Sequence, residues 1–334
     1  MKRSRVCQNS RRYRAWVLWG RGKHPGGRHI STPACRGRGE AYRIGAFLAI
    51  AIVFVGAGSL ERAAASAQHE NTIIDLWSAG TATFGVFVPN ERPRPDGPEQ
   101  GGRGQGGRRR GPRQPALYTV EGGERLAQNP LYDFVFLNLE GGYDADAVDA
   151  IAAGLRSPAA IGHIALLVRI PPIERDGPEV TRSRVKEILD MGADGIVFPH
   201  IRSPEEARLA VSFMIEAGAD LWSSSNPGGE KLAMIMIEDP DSLARLEETA
   251  DVPGIAVLAC GIGSLTGALG GDREAAEAGN QKVLAASKRI GAADMITANS
   301  TDVAGRIEEG FLGLLMQGAS ADQAIEIGRA AAGR

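Results

Sequence analysis

Eight short apolar runs, rich in β-branched and aromatic residues, recur along the chain from Thr83 onward. Between them lie stretches with the spacing of amphipathic helices, so the hydrophobic period changes from about two to about 3.6 residues each time. Runs that are apolar on both faces are typical of parallel strands covered by helices. The runs span residues 84–88, 134–140, 164–170, 195–201, 232–238, 254–260, 294–299 and 311–316.

Eight strands, most of them followed by a helix, predict an α/β chain folded as a (β/α)8 TIM barrel, whose usual size is about 250 residues. The segment 203–218 shows the helical part of the repeat. Ser203 supplies an N-cap, Pro204 the first helical position and Gly218 the stop. A doubly wound open sheet is the alternative, because the pattern does not show whether the sheet closes.

The first 67 residues differ from the rest in charge and hydropathy. They hold 13 Lys and Arg against 2 Asp and Glu, and residues 44–58 form an apolar run. This run is shorter than the ~20 residues of a membrane span but typical of a signal-peptide core. Residues 65–67, Ala-Ser-Ala, then provide a small-residue cleavage pattern. We therefore expect residues 1–67 to be an export leader and residues 68–334 to form one periplasmic or secreted barrel domain; an uncleaved anchor is the alternative.

Without the leader the chain is acidic. It keeps 25 basic and 38 acidic residues, a net charge of −13. Such a surface repels nucleic acid and anionic membranes, so we expect neither as a partner after signal cleavage. Cys260 is the single cysteine beyond the leader, which excludes an intrachain disulfide in the mature chain. Its apolar run predicts a buried core residue rather than a nucleophile.

Residues 90–116 interrupt the domain with a segment rich in Gly, Pro and Arg. The segment shows no apolar periodicity, so it cannot bury enough surface to offset the entropy of ordering. We expect a disordered insertion within the single barrel domain. Contact with a polyanion is the alternative function of its arginines.

The catalytic groups of a TIM barrel collect at the carboxyl ends of its strands. Arg169 and Glu238 are charged residues inside apolar strands, where an unpaired charge costs several kcal/mol. They therefore bind a ligand or pair with each other. The other polar or Gly-rich positions at these ends are Asn138, Glu140, His200, Asp239, Gly261, Gly263 and Ser264.

The order of four segments resembles the HpcH/HpaI aldolase/citrate lyase family over roughly residues 80–320. They read FVFLNLEGG, LLVRIPP, ILDMGADGIVFPHIRSPEEA and MIMIEDPDSLARLEETADVPGIAVLACGIGSLTGALGG. The resemblance implies a phosphoenolpyruvate/pyruvate-type barrel, a divalent metal (Mg or Mn), a small 2-oxo acid substrate and a homo-oligomer. It further implies that Arg169 orients the oxo acid and that Glu238 is a metal ligand.

The sequence departs from the family at two catalytic positions. Where the family usually has Gly-Pro-x-Asp-Leu-Ser, this chain has Ser264 in place of the metal-binding Asp. Where the aldolase branch has Asp-x-Glu-His, residues 138–141 read Asn-Leu-Glu-Gly, so the usual His base is missing. Glu140, Asp239 and Asp272 are the candidates for a substitute metal ligand, and Glu140 is also an expected catalytic residue. His200 is the candidate for the substitute base, with a loop hydrogen bond as the alternative role.

The remaining predicted contacts are with substrate. Asn138, Gly261, Gly263 and Ser264 join Arg169 as expected substrate-binding residues, the Gly-rich run offering backbone N–H groups to a carboxylate or phosphate. The leading interpretation is an aldolase-type carbon–carbon lyase with altered metal ligation. A non-catalytic barrel that binds a small carboxylated ligand, and a different enzyme such as a hydrolase on the same scaffold, are the alternatives.

Overall fold

A computed structural model describes residues 69–92 and 115–334. The predicted leader, and the part of the predicted insertion from 93 to 114, lie outside these residues. The strands are Thr83–Phe87 (β1), Phe134–Asn138 (β2), Ala165–Arg169 (β3), Gly195–Phe198 (β4), Leu232–Ile237 (β5), Val257–Cys260 (β6), Ala293–Thr297 (β7) and Gly313–Met316 (β8).

Helices follow each strand and cover the outside of the sheet. Their bounds are Thr72–Ser78 (α1), Val120–Ala127 (α2), Ala145–Leu155 (α3), Ile173–Asp176 (α4), Pro178–Asp190 (α5), Pro204–Glu216 (α6), Pro240–Ala244 (α7), Leu246–Ala250 (α8), Ile262–Ala268 (α9), Arg273–Ile290 (α10), Val303–Glu309 (α11) and Ala321–Ala331 (α12). Within the described ranges, no helix has the length and hydropathy needed to cross a membrane.

The strands are all parallel and pair in chain order. Strand β1 pairs with β2 on one side and with β8 on the other, so the sheet closes. Closure excludes the doubly wound open sheet and confirms the predicted (β/α)8 barrel. It also places the carboxyl ends of all eight strands at one mouth.

Local sequence determines where the elements begin and end. The Ser203 side chain accepts a hydrogen bond from the N–H of Glu206 at 3.2 Å, Pro204 opens α6, and Gly218 has a φ of 87°. These are the cap, start and stop that the sequence predicts. Several strands are shorter than predicted at their carboxyl ends, because polar residues such as Glu140 and His200 leave the sheet to face the barrel mouth.

The core has two layers. The outer layer lies between sheet and helices, and the inner layer fills the barrel with side chains such as Phe136, Leu167 and Met295. Helix α1 closes the amino end of the barrel, where Trp77 Nε1 donates to Thr83 Oγ1 at 2.9 Å and to the Leu312 carbonyl at 3.0 Å. The inner layer therefore packs against α1 below and leaves the opposite mouth to polar groups.

The two ends of the insertion meet just beyond β1. The N–H of Glu91 donates to the Leu117 carbonyl at 3.0 Å, and the N–H of Leu117 donates to Asn90 Oδ1 at 2.9 Å. The chain therefore leaves and rejoins the barrel at the carboxyl end of β1. Most of the predicted insertion, residues 93–114, lies outside the described residues. The disorder expected for residues 90–116 therefore stays a prediction.

Candidate active site

Four charged or titratable side chains meet at the barrel mouth. Arg169 is the last residue of β3, and Glu140, His200 and Glu238 follow β2, β4 and β5 within one or two residues. Because these four strands are neighbours in the closed sheet, their carboxyl ends bring the side chains together. We call these four residues the mouth cluster.

Arg169 joins the two carboxylates of the mouth cluster. Its Nη2 donates to Glu140 Oε1 at 2.8 Å and lies 3.1 and 3.2 Å from the two carboxylate oxygens of Glu238. The Glu238 side chain is 1% exposed, so its charge depends on this pairing. The ion pair that the sequence left as an alternative is therefore present, and Glu140 extends it.

His200 is held in an unusual backbone conformation. Its φ is 54°, and among the described residues it is the one non-glycine residue with positive φ. Its backbone N–H donates to Glu238 Oε2 at 2.8 Å, and its Nε2 lies 2.9 Å from Glu140 Oε1. A left-handed residue of this kind costs of order 1–3 kcal/mol and persists where the surroundings require it, as at active sites.

Gly261 allows Glu238 to occupy its position. A Cβ on residue 261 would lie 2.2 Å from Glu238 Oε1. Any residue larger than glycine would therefore displace the buried carboxylate. The sequence predicted Gly261 as a substrate contact, and the structure adds this second reason for a glycine.

A cavity of about 240 Å³ lies beside Arg169 and Glu238. Its floor is apolar, with Phe136, Met234 and Met295 among the side chains that line it. An apolar floor with a few convergent polar groups is typical of a small-molecule site. The predicted substrate-binding residues that line this cavity are Arg169, Gly261, Gly263 and Ser264.

Two sequence expectations at this mouth need correction. Asp239 does not join the mouth cluster: its Oδ1 accepts from the N–H of Ser242 at 2.8 Å in a capping box at the start of α7, so its carboxylate is used by the helix. Asn138 is exposed and does not line the cavity. Its side chain is instead used locally, where Oδ1 accepts a hydrogen bond from the N–H of Glu140 at 3.2 Å.

The Gly-rich run also differs from the expectation. It forms the short helix α9 rather than a loop, with Gly261 at the N-cap position and no side-chain cap. Its residues Ile262, Gly263 and Ser264 face the cavity from the first turn. Gly is a poor helix former, so the helix is stabilised by packing: Leu265 of α9 is fully buried.

Cys260 lines the cavity but is unsuited to nucleophilic chemistry. The thiol is 5% exposed, and burial, with the carboxylates of Asp294 and Glu277 nearby, raises its pKa to about 12. The thiol therefore stays protonated at neutral pH. This agrees with the predicted core role.

Sequence reasoning missed the apolar lining of the cavity and two of its residues at strand ends, Thr297 and Phe87. Thr297, the last residue of β7, lines the cavity, whereas Asn299, two residues further on, binds Asp302 and Thr301 in a turn. Phe87 at the end of β1 also lines it. Each is the last inward position of its strand, and that periodicity is the signal that could have identified them.

The mouth cluster fits a divalent cation. Three of its residues offer one donor atom each, and these atoms lie within 4.8 Å of one another: Glu140, His200 and Glu238. Two of the three are carboxylates, the oxygen ligands that Mg²⁺ prefers. Within the described residues, the hydrogen bonds to the Glu140 carboxylate use Oε1, which leaves Oε2 for a further ligand. Glu140 therefore places a second carboxylate near Glu238, whereas the sequence has Ser264 at the family's Asp position.

The fold and the mouth cluster define a class: a (β/α)8 barrel with a charged centre at the ends of β2 to β5, above a small cavity. Comparison with known families gives the narrower assignment. The model of the HpcH/HpaI aldolase/citrate lyase family matches residues 126–320, which is more than half of the chain. The chain belongs to this family.

Similar proteins support the assignment. A 4-hydroxy-4-methyl-2-oxoglutarate aldolase of Hapsidospora irregularis is 31% identical over 160 residues, covering 42% of this chain and 58% of that protein. The corresponding enzyme of Chaetomium globosum is 29% identical, covering 42% and 59%. The chain thus spans about three-fifths of the length of these relatives. An HpcH/HpaI family protein from Burkholderia cenocepacia shares the fold, with 21% identity, a TM-score of 0.54, and coverage of 78% of this chain and 97% of that one.

Proposed function

We propose that the protein is an aldolase-type carbon–carbon lyase that forms or cleaves the bond beside a small 2-oxo acid through a metal-stabilised enolate. The observation that carries the proposal is the mouth cluster: Arg169 and Glu238 line a small cavity, and Glu140 and His200 lie against them outside its lining. Family membership and the oxo-acid aldolases among the relatives support the reaction type.

Arg169 is the proposed anchor for the substrate carboxylate. It lines the cavity, and its hydrogen bonds within the described residues all use Nη2. Nη1 is therefore left to donate to an anion, and the fixed charge stabilises an enolate as it forms. The apolar floor favours a short substrate with a methyl or methylene group at the reacting carbon.

Glu140 and Glu238 are the proposed metal ligands. When bound, the metal supplies Lewis-acid stabilisation of the enolate oxygen, an effect of several kcal/mol. Two carboxylates suit Mg²⁺ or Mn²⁺. Because Arg169 already contacts both carboxylates, its positive charge opposes the metal, and we expect weaker metal binding than in a site with free carboxylates.

His200 is the proposed base. Its Nε2 lies 2.9 Å from Glu140 Oε1 and its Nδ1 lies 3.5 Å from Glu238 Oε2, so the two carboxylates orient the ring, and the ring nitrogen that carries no proton takes one from substrate. The His200 side chain is 32% exposed, which gives it an exchange path to solvent. Glu140 thus orients the imidazole and belongs to the metal site as well.

Calorimetric titration tests the metal part of the proposal. Wild type should bind Mg²⁺ or Mn²⁺, Glu238→Gln should lose this binding, and the matched control Asp239→Asn should retain it, because Asp239 caps α7. A parallel assay measures pyruvate release from 4-hydroxy-4-methyl-2-oxoglutarate, the compound that appears in the names of the two aldolase relatives. Absence of both metal binding and pyruvate release in wild type would refute the lyase.

A non-catalytic barrel that binds a small carboxylate is the second candidate. It is favoured by one observation: Arg169 pairs with both carboxylates, so its charge offsets the negative charge that would attract a cation. A wild-type protein that binds pyruvate in the calorimeter, while it neither binds metal nor releases product, would support this alternative. Arg169→Ala should then abolish pyruvate binding.

A further inference from the structure

Glu140 has two roles in the proposed site, yet its own segment does little to hold it in place. The residue lies two positions beyond the end of β2, and Gly141 and Gly142 follow it. A Cβ on either glycine would meet nothing within 4 Å, so none of the described residues packs closely against the turn at these two positions. The position of the Glu140 carboxylate therefore depends on contacts from elsewhere in the barrel mouth.

Arg175, in the next loop of the barrel, binds the backbone of Glu140. It lies in α4, after β3, and its Nη1 donates to the Glu140 carbonyl at 2.8 Å. The N–H of Glu140 donates to Asn138 Oδ1 at 3.2 Å, so the backbone N–H and C=O of this residue are both bound. A hydrogen bond from a charged donor is roughly twice as strong as a neutral one, which makes the Arg175 contact the stronger of the two.

The guanidinium of Arg175 is itself held by a carboxylate. Its Nε donates to Asp176 Oδ1 at 2.8 Å, and its Nη2 donates to Asp176 Oδ2 at 3.3 Å. Arg184 of α5 binds the same carboxylate. The hydrogen bonds from Arg175 and Arg184 lower the pKa of Asp176 to about 2, so this carboxylate is charged at neutral pH and fixes the plane of the Arg175 guanidinium.

Arg184 connects this network back to the segment that contains Glu140. Its guanidinium carbon lies 4.9 Å from the centroid of the Tyr143 ring, and the Tyr143 hydroxyl donates to Glu187 Oε2 at 2.7 Å. Tyr143 lies three residues beyond Glu140 and packs against the outer layer of the core. Helix α5 therefore holds the segment at Tyr143, while Arg175 holds it at Glu140.

The Glu140 carboxylate has little room to move. Its Oε1 accepts from Arg169 Nη2 at 2.8 Å and lies 2.9 Å from His200 Nε2. A shift of about 1 Å away from either partner would take that contact beyond the usual hydrogen-bond range of roughly 2.7–3.2 Å. Arg175 does not line the cavity, so an effect of this residue on the proposed reaction would pass through Glu140.

We propose that Arg175 is a positioning residue, which holds the Glu140 peptide so that the Glu140 carboxylate keeps both of its contacts within the mouth cluster. The inference rests on the proposed lyase function. Asp176 takes part indirectly, because it orients the Arg175 guanidinium. Groups that hold a metal ligand in place typically change metal affinity or activity by about 10–100-fold when they are removed, which sets the size of the expected effect.

The experiment compares Arg175→Met, which keeps an apolar stem and loses every donor, with Arg175→Lys, which keeps a charged donor. Crystal structures give the position of Glu140, and deuterium uptake at the methyl group of pyruvate, with Mg²⁺ present, gives kcat and KM. In Arg175→Met the Glu140 carboxylate should lie more than about 3.5 Å from Arg169 Nη2 or His200 Nε2. Its kcat should fall about ten-fold or more, with KM within about two-fold of wild type, because Arg169 still anchors the substrate. Arg175→Lys should recover most of the lost kcat.

The matched control is Arg208→Met, which also removes an exposed arginine paired with an acid: Arg208 Nη2 donates to Glu205 Oε1 at 2.8 Å on α6. It should leave kcat and the position of Glu140 unchanged. A double-mutant cycle then tests the route of the effect. In a Glu140→Ala background, Arg175→Met should lower kcat no further, because both changes act on one group.

The proposal is refuted if the Glu140 carboxylate keeps both of its contacts in Arg175→Met, or if Arg175→Met lowers kcat further in the Glu140→Ala background. Thermal unfolding verifies that each variant is folded. Absence of deuterium uptake by wild type would instead refute the lyase function. The crystal structures of wild type and Arg175→Met would still decide whether Arg175 positions Glu140.

Discussion

Arg169 carries two opposing roles in one side chain. Its Nη2 neutralises Glu140 and the buried Glu238, yet the proposed chemistry requires these carboxylates to accept a metal. The guanidinium therefore stabilises the metal-free protein and competes with the cation. Removing it should separate the two effects.

We predict that Arg169→Ala binds Mg²⁺ or Mn²⁺ more tightly than wild type, by about ten-fold, while it binds pyruvate more weakly. The metal-free variant should be less stable by about 3–5 kcal/mol, because the buried Glu238 loses its partner. Calorimetry measures both affinities, and thermal unfolding with and without metal measures the stability. Loss of metal binding would contradict the competition.

Asp294 predicts a pH dependence away from the site. The carboxyl is buried beside Ser287 Oγ at 2.9 Å, and burial raises its pKa well above the ordinary value of 3.8. The folded protein thus keeps a proton that the unfolded chain releases above about pH 4. Stability consequently falls as pH rises from the unfolded pKa toward the folded pKa.

We therefore expect Asp294→Asn to be more stable than wild type at pH 7 by about 1 kcal/mol, or roughly 2–4 °C in Tm, and to be nearly equal to it at pH 4. Thermal unfolding at the two pH values measures this. A variant that is less stable at pH 7 would show that Asp294 is charged in the folded protein.

At the scale of elements, two glycines at the start of α9 offer a matched comparison. A Cβ on Gly261 would meet Glu238 Oε1 at 2.2 Å, whereas a Cβ on Gly263 would meet nothing within 4 Å. Gly261→Ala should displace Glu238 and weaken metal binding by at least about ten-fold, and Gly263→Ala should not. Calorimetry checks the affinities; equal affinities in the two variants would show that Glu238 is not a ligand.

The strand pattern predicted much of this arrangement and left some of it open. Charged residues within apolar strands identified Arg169 and Glu238, because burial of a charge requires a partner. The closeness of His200 to Glu140 depends on a left-handed φ at His200, which no strand pattern predicts. Asp239 was misassigned because the sequence neighbour of a ligand resembles a second ligand, while its carboxylate caps α7.

At the scale of the whole molecule, the leader is a separate proposal. We propose that residues 1–67 direct export and that the mature chain begins near Gln68, on the evidence of the apolar run and the Ala-Ser-Ala pattern. Intact-mass analysis of protein from the native host should show a chain that lacks the leader. A cytoplasmic product that retains residues 44–67 would contradict export.

The proposed lyase function requires the residues of the mouth cluster to act together in converting a bound 2-oxo acid into its enolate. Deuterium uptake at the methyl group of pyruvate in D₂O, followed by mass spectrometry with Mg²⁺ present, measures this step alone. Asn accepts a left-handed backbone, so His200→Asn should keep the fold and both proposed carboxylate ligands while it lacks the base.

The account predicts metal-dependent uptake by wild type, a decrease of about 100-fold or more in His200→Asn, and no uptake by Glu238→Gln. Wild-type protein that binds pyruvate but exchanges no deuterium at any metal concentration would contradict it.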